Sequence, residues 1–392
     1  MLAPQLLSEG LSLEPSRERF LAWLGQLSPD QDAGNFFLSP AWAHEYFSRW
    51  PPGDFFAGIR VYAPSIAGHG VVLAAVALSR GPGSSPLSRH HRSLGFNESS
   101  SRELADVTTE VNGLIGSAEL RFADWIAEIL GLLQGLDGWD EMRVNSLSGP
   151  EAKAIATAAN ELGLISHACT QDETYWVDLG QIRGQFGGNY LASRSANTRA
   201  QLRRALKALQ REHGRFELVA ASSADEGHRW LDALAELHKK RWNSHGERKG
   251  FANAPFGQFH HELCAGLIEK GQIEVLRARA GDEVLAYLYN YVSGGRVYFS
   301  MSGVEHERFS NFKPGLLAHW QAIERYLAQG LRIYDFQTGT GRYKQSLSTH
   351  REARVGILVR QPLLKFRLEA LARWVKRVLV PARARAVRDE AA

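Results

Sequence analysis

Apolar positions along this chain recur in some stretches every third or fourth residue and in others every second, and the switches between the two spacings mark its elements. Helical spacing predicts helices at 40–50, 120–136 and 151–162, then at 198–213, 225–242 and 256–270. Strand patterns occupy 58–63, 71–78, 141–145, 175–179 and 216–220, and a Gly/Pro/Ser-rich loop is expected at 81–88. The segment 272–344 is the most informative. Gly281-Asp282 and Ser293-Gly294-Gly295 are hairpin signals separating strands at 273–278, 284–292 and 296–303. Pro314 then opens a helix with Leu316, Trp320, Ile323 and Leu327 as its buried stripe and Gly330 as its stop. A buried strand comes next and delivers Asp335. A helix whose first turn comes directly after a strand sets unpaired backbone N–H groups and a positive dipole end beside the sheet, where a phosphate or carbonyl oxygen can sit.

This order of elements predicts an α/β (α+β) chain of two successive units, each a mixed sheet flanked by helices. The expected division is an extension at 1–34, a first domain at 35–179, a second at 180–361 and a basic tail at 362–392. A length of 392 residues, 44% of them hydrophobic, suffices for two cores. The two cysteines, Cys169 and Cys264, lie far apart with no His or Cys at ligand spacing, so neither a disulfide framework nor a metal site is indicated. A soluble, cytoplasmic protein is the expectation, with no leader and no apolar run of spanning length.

The formal charge of +4 is unevenly spread. Residues 362–392 hold eight Lys or Arg against three acids, a balance of +5 that leaves −1 for the rest. Within this tail Leu364, Leu368, Leu371, Val375 and Val378 recur at helical spacing among cations. That pattern fits either a helix lying on an anionic membrane surface or one packed on its own domain. Nucleic acid is not an expected partner, since no basic patch interleaves with exposed aromatics.

Candidate ligand contacts come from three places. Arg199, Arg203, Lys207 and Arg211 form a cationic band on the 198–213 helix, capped by Asn197 or Ser195 and ended by Gly214. Its first pair, Arg199 and Arg203, can present two guanidinium forks to a phosphate or carboxylate; a solvated face is the alternative. On the next helix His238 and Arg241 fall in the arc of Leu231, Leu234 and Leu237, which predicts either a satisfied core histidine with a structural ion pair or a ligand-lined cleft. The polar loop 243–251 is expected at the edge of such a cleft. Alternation sets Tyr287, Tyr289 and Tyr291 on one face of their strand, with Tyr298 on its neighbour, as packing residues or as a polar pocket wall.

Taken in order, Asn197-Thr198-Arg199, Leu202-Arg203-Arg204, His238, Arg241-Trp242, Phe251-Ala252, Phe259-His260, Pro314-Gly315, Asp335-Phe336, Gly339 and Tyr343-Lys344 resemble the GNAT-fold acyltransferases of the CelD/BcsL type, distant relatives of the FemABX peptidyltransferases. The resemblance spans about residues 175–350, and Phe37-Leu38-Ser39-Pro40-Ala41-Trp42 is similar to the family's opening. It implies two tandem GNAT-like domains, with an acyl donor in the second and an amine acceptor in the cleft between them. Acyl-CoA is the implied co-substrate, with no metal. Phe309 to Gly315 stands where single-domain GNAT enzymes carry an Arg/Gln-x-x-Gly-x-Gly/Ala pyrophosphate loop. Asn311, Lys313 and Gly315 are the expected donor contacts there, and an acyl carrier protein is the alternative source of the thioester.

The resemblance further implies Asp335 as base or acceptor-orienting group, Tyr343 as proton donor to the leaving thiolate and Lys344 as a phosphate contact, with Arg199, Arg203, His238, Arg241, Tyr289 and Tyr298 around the substrate. A loop-capping Asp335 is the competing reading. Polysaccharide or envelope biosynthesis is the implied setting. Two other functions remain in view: an aminoacyl-tRNA-dependent transferase, although the long helical hairpin of FemABX enzymes is missing, and a non-catalytic scaffold.

Overall fold

The structure, a computed structural model, describes residues 10–27, 34–51, 56–64, 71–82, 91–107, 109–243 and 250–379. Among them twelve strands join in one sheet: β1 (Gly10–Glu14), β2 (Phe56–Pro64), β3 (Val71–Pro82), β4 (Arg92–Phe96), β5 (Glu141–Leu147), β6 (Ile165–Asp178), β7 (Phe216–Ala220), β8 (Ile273–Ala280), β9 (Glu283–Ser293), β10 (Arg296–Val304), β11 (Ile333–Thr338) and β12 (His350–Arg360). Their order is β1-β2-β3-β4-β5-β12-β6-β11-β10-β9-β8-β7. The two ends repeat one plan. Strands β1 to β4 run antiparallel and β4 lies parallel to β5; strands β7 to β10 run antiparallel and β10 lies parallel to β11.

In the middle the plan is exchanged. Strand β6 follows β5 in sequence but pairs with β11, while β12 follows β11 and pairs with β5. The two exchanged strands also pair with each other, from Ile165 opposite Arg360 to Trp176 opposite His350. Each half therefore holds a strand supplied by the other, and backbone ladders tie them together.

Side-chain alternation sorts the cores. Along β9, Tyr287, Tyr289 and Tyr291 enter one cluster and Ala286 and Leu288 the other, as a two-residue period requires. The tyrosine-side cluster crosses between halves: Phe36 stacks on Tyr291 with ring centroids 4.2 Å apart, and Trp42 meets Phe259 edge-on at 4.9 Å. Burying a side chain such as Phe36 contributes about 1.5–3 kcal/mol, so this aromatic contact adds to the ladders in joining the halves. Helix Pro40–Ser48 brings Trp42 there, its first turn capped by Ser39, whose hydroxyl accepts from the Trp42 N–H at 3.3 Å.

Helices fall close to their predicted ranges, as at Ala196–His213, capped by Ser195 rather than Asn197, Ala224–Asn243, Ala254–Leu267 and Pro314–Ala328. Strands β1, β4 and β12 are additional, and β6 begins ten residues before its predicted start at 175. The reason is visible in their exposure. Most of β6 before Thr174 and the first residues of β12 bury little surface, so neither carries an apolar alternation to read. The loops expected at 81–88 and 243–251 lie largely outside the described residues.

Candidate active site

The parallel pair β10/β11 opens like a fork. Its ladder covers Arg296–Tyr298 against Ile333–Asp335 and ends there, although β10 continues to Val304 and β11 to Thr338. Both strands kink as they part. Strand β10 slips register against β9 between Phe299 and Met301, and β11 slips against β6 between Asp335 and Gln337, where Gln337 sits at φ +60°. Beyond Tyr298 the edge of β10 that faced β11 is released from the ladder, and its N–H groups can serve a bound carbonyl or amide.

A cavity of about 650 Å³ occupies the fork. Its floor is β10 from Phe299 to Ser302; one wall is the first turn of helix Pro314–Ala328, and the other is Thr338 to Lys344. The helix presents Pro314, Gly315 and Leu316 to the cavity, and Lys313 before it, at φ +53°, supplies no side-chain cap. The first-turn N–H groups of Gly315 and Leu316 lie outside the intrahelical pattern, so with the dipole they form an anion-accepting end. Gly315 is not required by space, because a Cβ there would meet Val304 at an ordinary 3.5 Å.

Six of the expected residues line this cavity: His238, Arg241, Lys313, Gly315, Tyr343 and Lys344. Burial pushes the Tyr343 phenol up to about 12 and lowers the Lys344 ammonium. Lys344 donates to the Thr338 carbonyl. His238 is half-buried, and burial together with the nearby Arg241 charge brings it down to about 4, so its imidazole is neutral at pH 7. Arg241 departs from expectation. It is exposed at the mouth of the cavity, 3.5 Å from His306 Nε2, because the fully buried arc of its helix ends at Leu234 and Ala235 and the last turns have left the core.

The other six stand elsewhere. Asp335 is buried beside the fork with its carboxylate committed: Oδ2 accepts from Arg296 at 2.9 and 3.0 Å, and Oδ1 accepts from the Gln337 N–H at 2.7 Å. It fixes the β11 kink and does not line the cavity, which corrects the expectation of a base at this position. Tyr289 lies wholly inside the aromatic core against Cys264. Tyr298 is buried between the Phe37 ring and the Arg296 guanidinium. Arg199 donates to the Arg194 carbonyl at 2.5 Å, while Arg203 and Asn311 are exposed and are not among the residues lining the cavity, although Ser310 beside Asn311 is.

Two further residues complete the site. His319 is buried in the cavity wall, 2.9 Å from the Tyr334 hydroxyl and stacked on Tyr343 at 5.3 Å; burial lowers it to about 3. Its signal was legible, a histidine three residues after Leu316 and four before Ile323 on an apolar stripe. Glu110 comes from the first half. Its Oε2 accepts from both the N–H and the hydroxyl of Thr338, and burial raises its carboxyl pKa. It sits in an aperiodic loop, where nothing in the sequence marks it.

The fork cavity does not end at Thr338. A second space of about 240 Å³ shares His238, Ser300 and Met301 with it and reaches Glu110, and a third of about 380 Å³ shares Glu110 with the second and Thr338 with the first. A larger recess of about 770 Å³ between helices Ala224–Asn243 and Ala254–Leu267 lies outside this run and is edged by exposed Asp232 and Glu236. Among the described residues no group of three or more His, Cys, Asp or Glu is placed to hold a metal ion.

Comparison with known proteins gives a match to one part of the sequence and likenesses to the fold as a whole. Residues 196–345 match the family model for the acetyltransferase (GNAT) domain. That domain contains the whole fork, from the cationic helix to Lys344. FemX aligns over 92% of this chain and 99% of its own at 11% identity, with a TM-score of 0.54. A conserved protein of unknown function from Bacteroides thetaiotaomicron aligns over 90% of this chain and 100% of its own at 8% identity, also with a TM-score of 0.54. A tandem GNAT protein from the clavulanic acid biosynthesis pathway covers 89% and 98% at 13% identity, with a TM-score of 0.41. No curated protein matches the sequence. The fold is the expected α/β arrangement of two successive mixed-sheet units, and the GNAT match falls within the second of them.

Proposed function

We propose that this chain is an N-acyltransferase that takes an acyl group from an acyl-CoA thioester held in the β10/β11 fork and delivers it to an amine entering from the first half. The observation that carries this reading is the helix end at Pro314–Leu316 opening into the fork. Phosphate oxygens of the donor would rest on the Gly315 and Leu316 N–H groups and Lys313, with the thioester lying along β10. The amine nitrogen attacks the thioester carbon, and the developing oxyanion takes hydrogen bonds from the freed β10 backbone. Glu110, at the junction of the cavities, accepts the amine proton. The carbon–sulfur bond then breaks and the thiolate takes a proton from Tyr343, whose raised pKa keeps it protonated at neutral pH.

Incubation with acetyl-CoA and a panel of primary amines, with free-thiol release and product mass as readouts, tests this directly. Amine-dependent thiol release supports it; absence of coenzyme A binding by calorimetry favours a scaffold instead. An aminoacyl-tRNA donor would need a cationic path to the fork, whereas the Arg203, Lys207 and Arg211 side of its helix is not among the cavity walls. A carrier-protein donor would give transfer from the acylated carrier and none from acetyl-CoA.

We also propose peripheral contact with an anionic membrane through helix Leu364–Leu379. Phe366 is buried, Lys365 binds Asp140 at 2.6 Å and Glu369 meets His91 at 3.1 Å, so the helix packs on the body by these residues. Its leucines point away: Leu364, Leu368 and Leu371 are 69%, 57% and 55% exposed, beside exposed Arg367. An apolar stripe flanked by cations, with its acid turned inward, fits an anionic lipid surface. No helix among the described residues is long and apolar enough to cross a membrane. Co-sedimentation should be strong with phosphatidylglycerol vesicles, weak with phosphatidylcholine alone and lost in Leu368→Glu/Leu371→Glu; equal binding to both vesicles, or none, would contradict it.

A further inference from the structure

The first half contains the same fork. The parallel ladder of β4 and β5 covers Ser93–Gly95 against Glu141–Arg143, and the strands part beyond it. Here too a non-glycine residue takes a positive φ where the strand kinks, Ser146 at +57° in β5. The third cavity, about 380 Å³, lies in this opening and touches Thr338 and Glu110 of the proposed reaction centre.

Its lining is unlike that of the donor fork. Glu98 and Asp172 contribute acids, Arg143 and Arg354 contribute cations, and Asn145 and Thr170 stand between them. Glu98 accepts from the Asn145 amide N–H at 2.7 Å, and burial raises its carboxyl to about 7. The other end of that amide is unsatisfied: Asn145 Oδ1 is buried without a hydrogen-bond partner. The backbone keeps it so. A Cβ on Gly356 would stand 2.8 Å from Asn145 Oδ1 and 2.2 Å from Thr170 Oγ1, so this glycine preserves the space these polar atoms occupy. A buried acceptor left unpaired is unfavourable, and a bound donor group would relieve it. The arginines, meanwhile, offer forks to an anion.

We infer that this cleft seats the acyl acceptor, a small amine that also carries a carboxylate or phosphate, with its anionic group on Arg143 and Arg354 and its amine directed past Asn145 toward Glu110. The inference rests on the transferase reading and names the substrate class for that site. An ammonium is drawn to the acidic end, gives one proton to solvent to become the free amine, and gives a second to Glu110 as its nitrogen bonds to the thioester carbon and the thiolate leaves.

The full chain is titrated with matched pairs that differ in the anionic group: phosphoethanolamine and ethanolamine, lysine and cadaverine, glucosamine 6-phosphate and glucosamine. Affinity is read by calorimetry and thermal shift, and coenzyme A affinity is measured separately on every sample. At least one anionic member should bind ten-fold or more tighter than its partner. Arg143→Met and Arg354→Met should each weaken it at least ten-fold, leaving coenzyme A affinity and the melting temperature in place. Binding of the phosphate pairs or of the amino acid alone distinguishes the two anion sources. Equal binding within every pair, no binding by any of them, or indifference to both arginine variants would overturn the acceptor site while coenzyme A binding still upholds the donor fork. Pair binding without coenzyme A binding would instead overturn the transferase reading.

Discussion

The two forks share strand order, a three-residue parallel ladder and a kink at a positive φ, yet the chain leaves their first strands differently. After β10 it reaches helix Pro314–Ala328 within ten residues, and the helix end meets the cavity. After β4 it takes twenty-five residues, 97–121, before helix Phe122–Gln134, and no residue of that helix lines the first-half cavity. The long segment brings Glu98 and Glu110 instead. One geometry thus gives an anion-accepting fork in the second half and a fork of mixed charge in the first, the difference on which the proposed placing of a phosphate-bearing donor and its acceptor rests.

Removing the residue that links the forks has the largest expected effect. Glu110→Gln keeps an oxygen for Thr338 but no basic carboxylate, so kcat should fall about 10²–10⁴-fold with coenzyme A affinity unchanged; a loss under ten-fold would place the base elsewhere. In the wild type, kcat/KM should fall as pH drops through the raised Glu110 pKa, and this limb should vanish in the variant.

Next comes the donor end itself. Gly315→Asp adds a negative charge where phosphate is expected, in a position with room for the side chain. Acetyl-CoA affinity should drop roughly ten-fold or more, while an acid in the first helical turn adds about 0.3–1 kcal/mol of stability. Opposite signs in the two measurements separate a binding defect from a folding one. Asp335→Asn should show the reverse balance. With Arg296 left facing a neutral partner in a partly exposed pair, thermal and chemical denaturation should lose about 1–3 kcal/mol, and kcat only a few-fold. A large kcat loss at unchanged stability would restore Asp335 to the chemistry.

The smallest effect concerns acid stability. His260 is buried under the aromatic bridge between halves and held at about 3 by desolvation, below its ordinary 6.5. Only the unfolded chain takes up that proton as pH falls below 6.5, so the histidine costs the wild type stability between pH 6.5 and about 3. Glu98 and Glu110, raised by burial, act in the opposite direction over part of that window. His260→Phe therefore isolates the histidine: its stability relative to wild type should rise steadily from pH 7 to 5, and a flat difference would show the imidazole titrates normally.

The sequence made the second fork legible because its elements are regular. Alternation in β9 and β10, Pro314 at a helix start and the stripe Leu316, Trp320, Ile323 and Leu327 each reflect a buried face with one period. Lys313, Gly315, Tyr343 and Lys344, named through the family resemblance, fall on the walls of the fork's cavity. Asp335 misled for a physical reason: a carboxylate at the end of a buried strand is as well suited to pinning a kink as to taking a proton, and Arg296, its partner, lies 39 residues earlier. The exchanged strands and Glu110 were hidden more deeply. Strand β12 and the start of β6 bury too little to show a period, and Glu110 acts through Thr338, a contact 228 residues away that no local pattern encodes.

Titration calorimetry of acetyl-CoA against the full chain tests the central claim most directly, first on the wild type and then on Gly315→Asp and Arg143→Met. A single site per chain, weakened roughly ten-fold or more by the first substitution and untouched by the second, is the predicted result. Two sites, no binding, or binding that is unchanged in Gly315→Asp and weakened in Arg143→Met would contradict it.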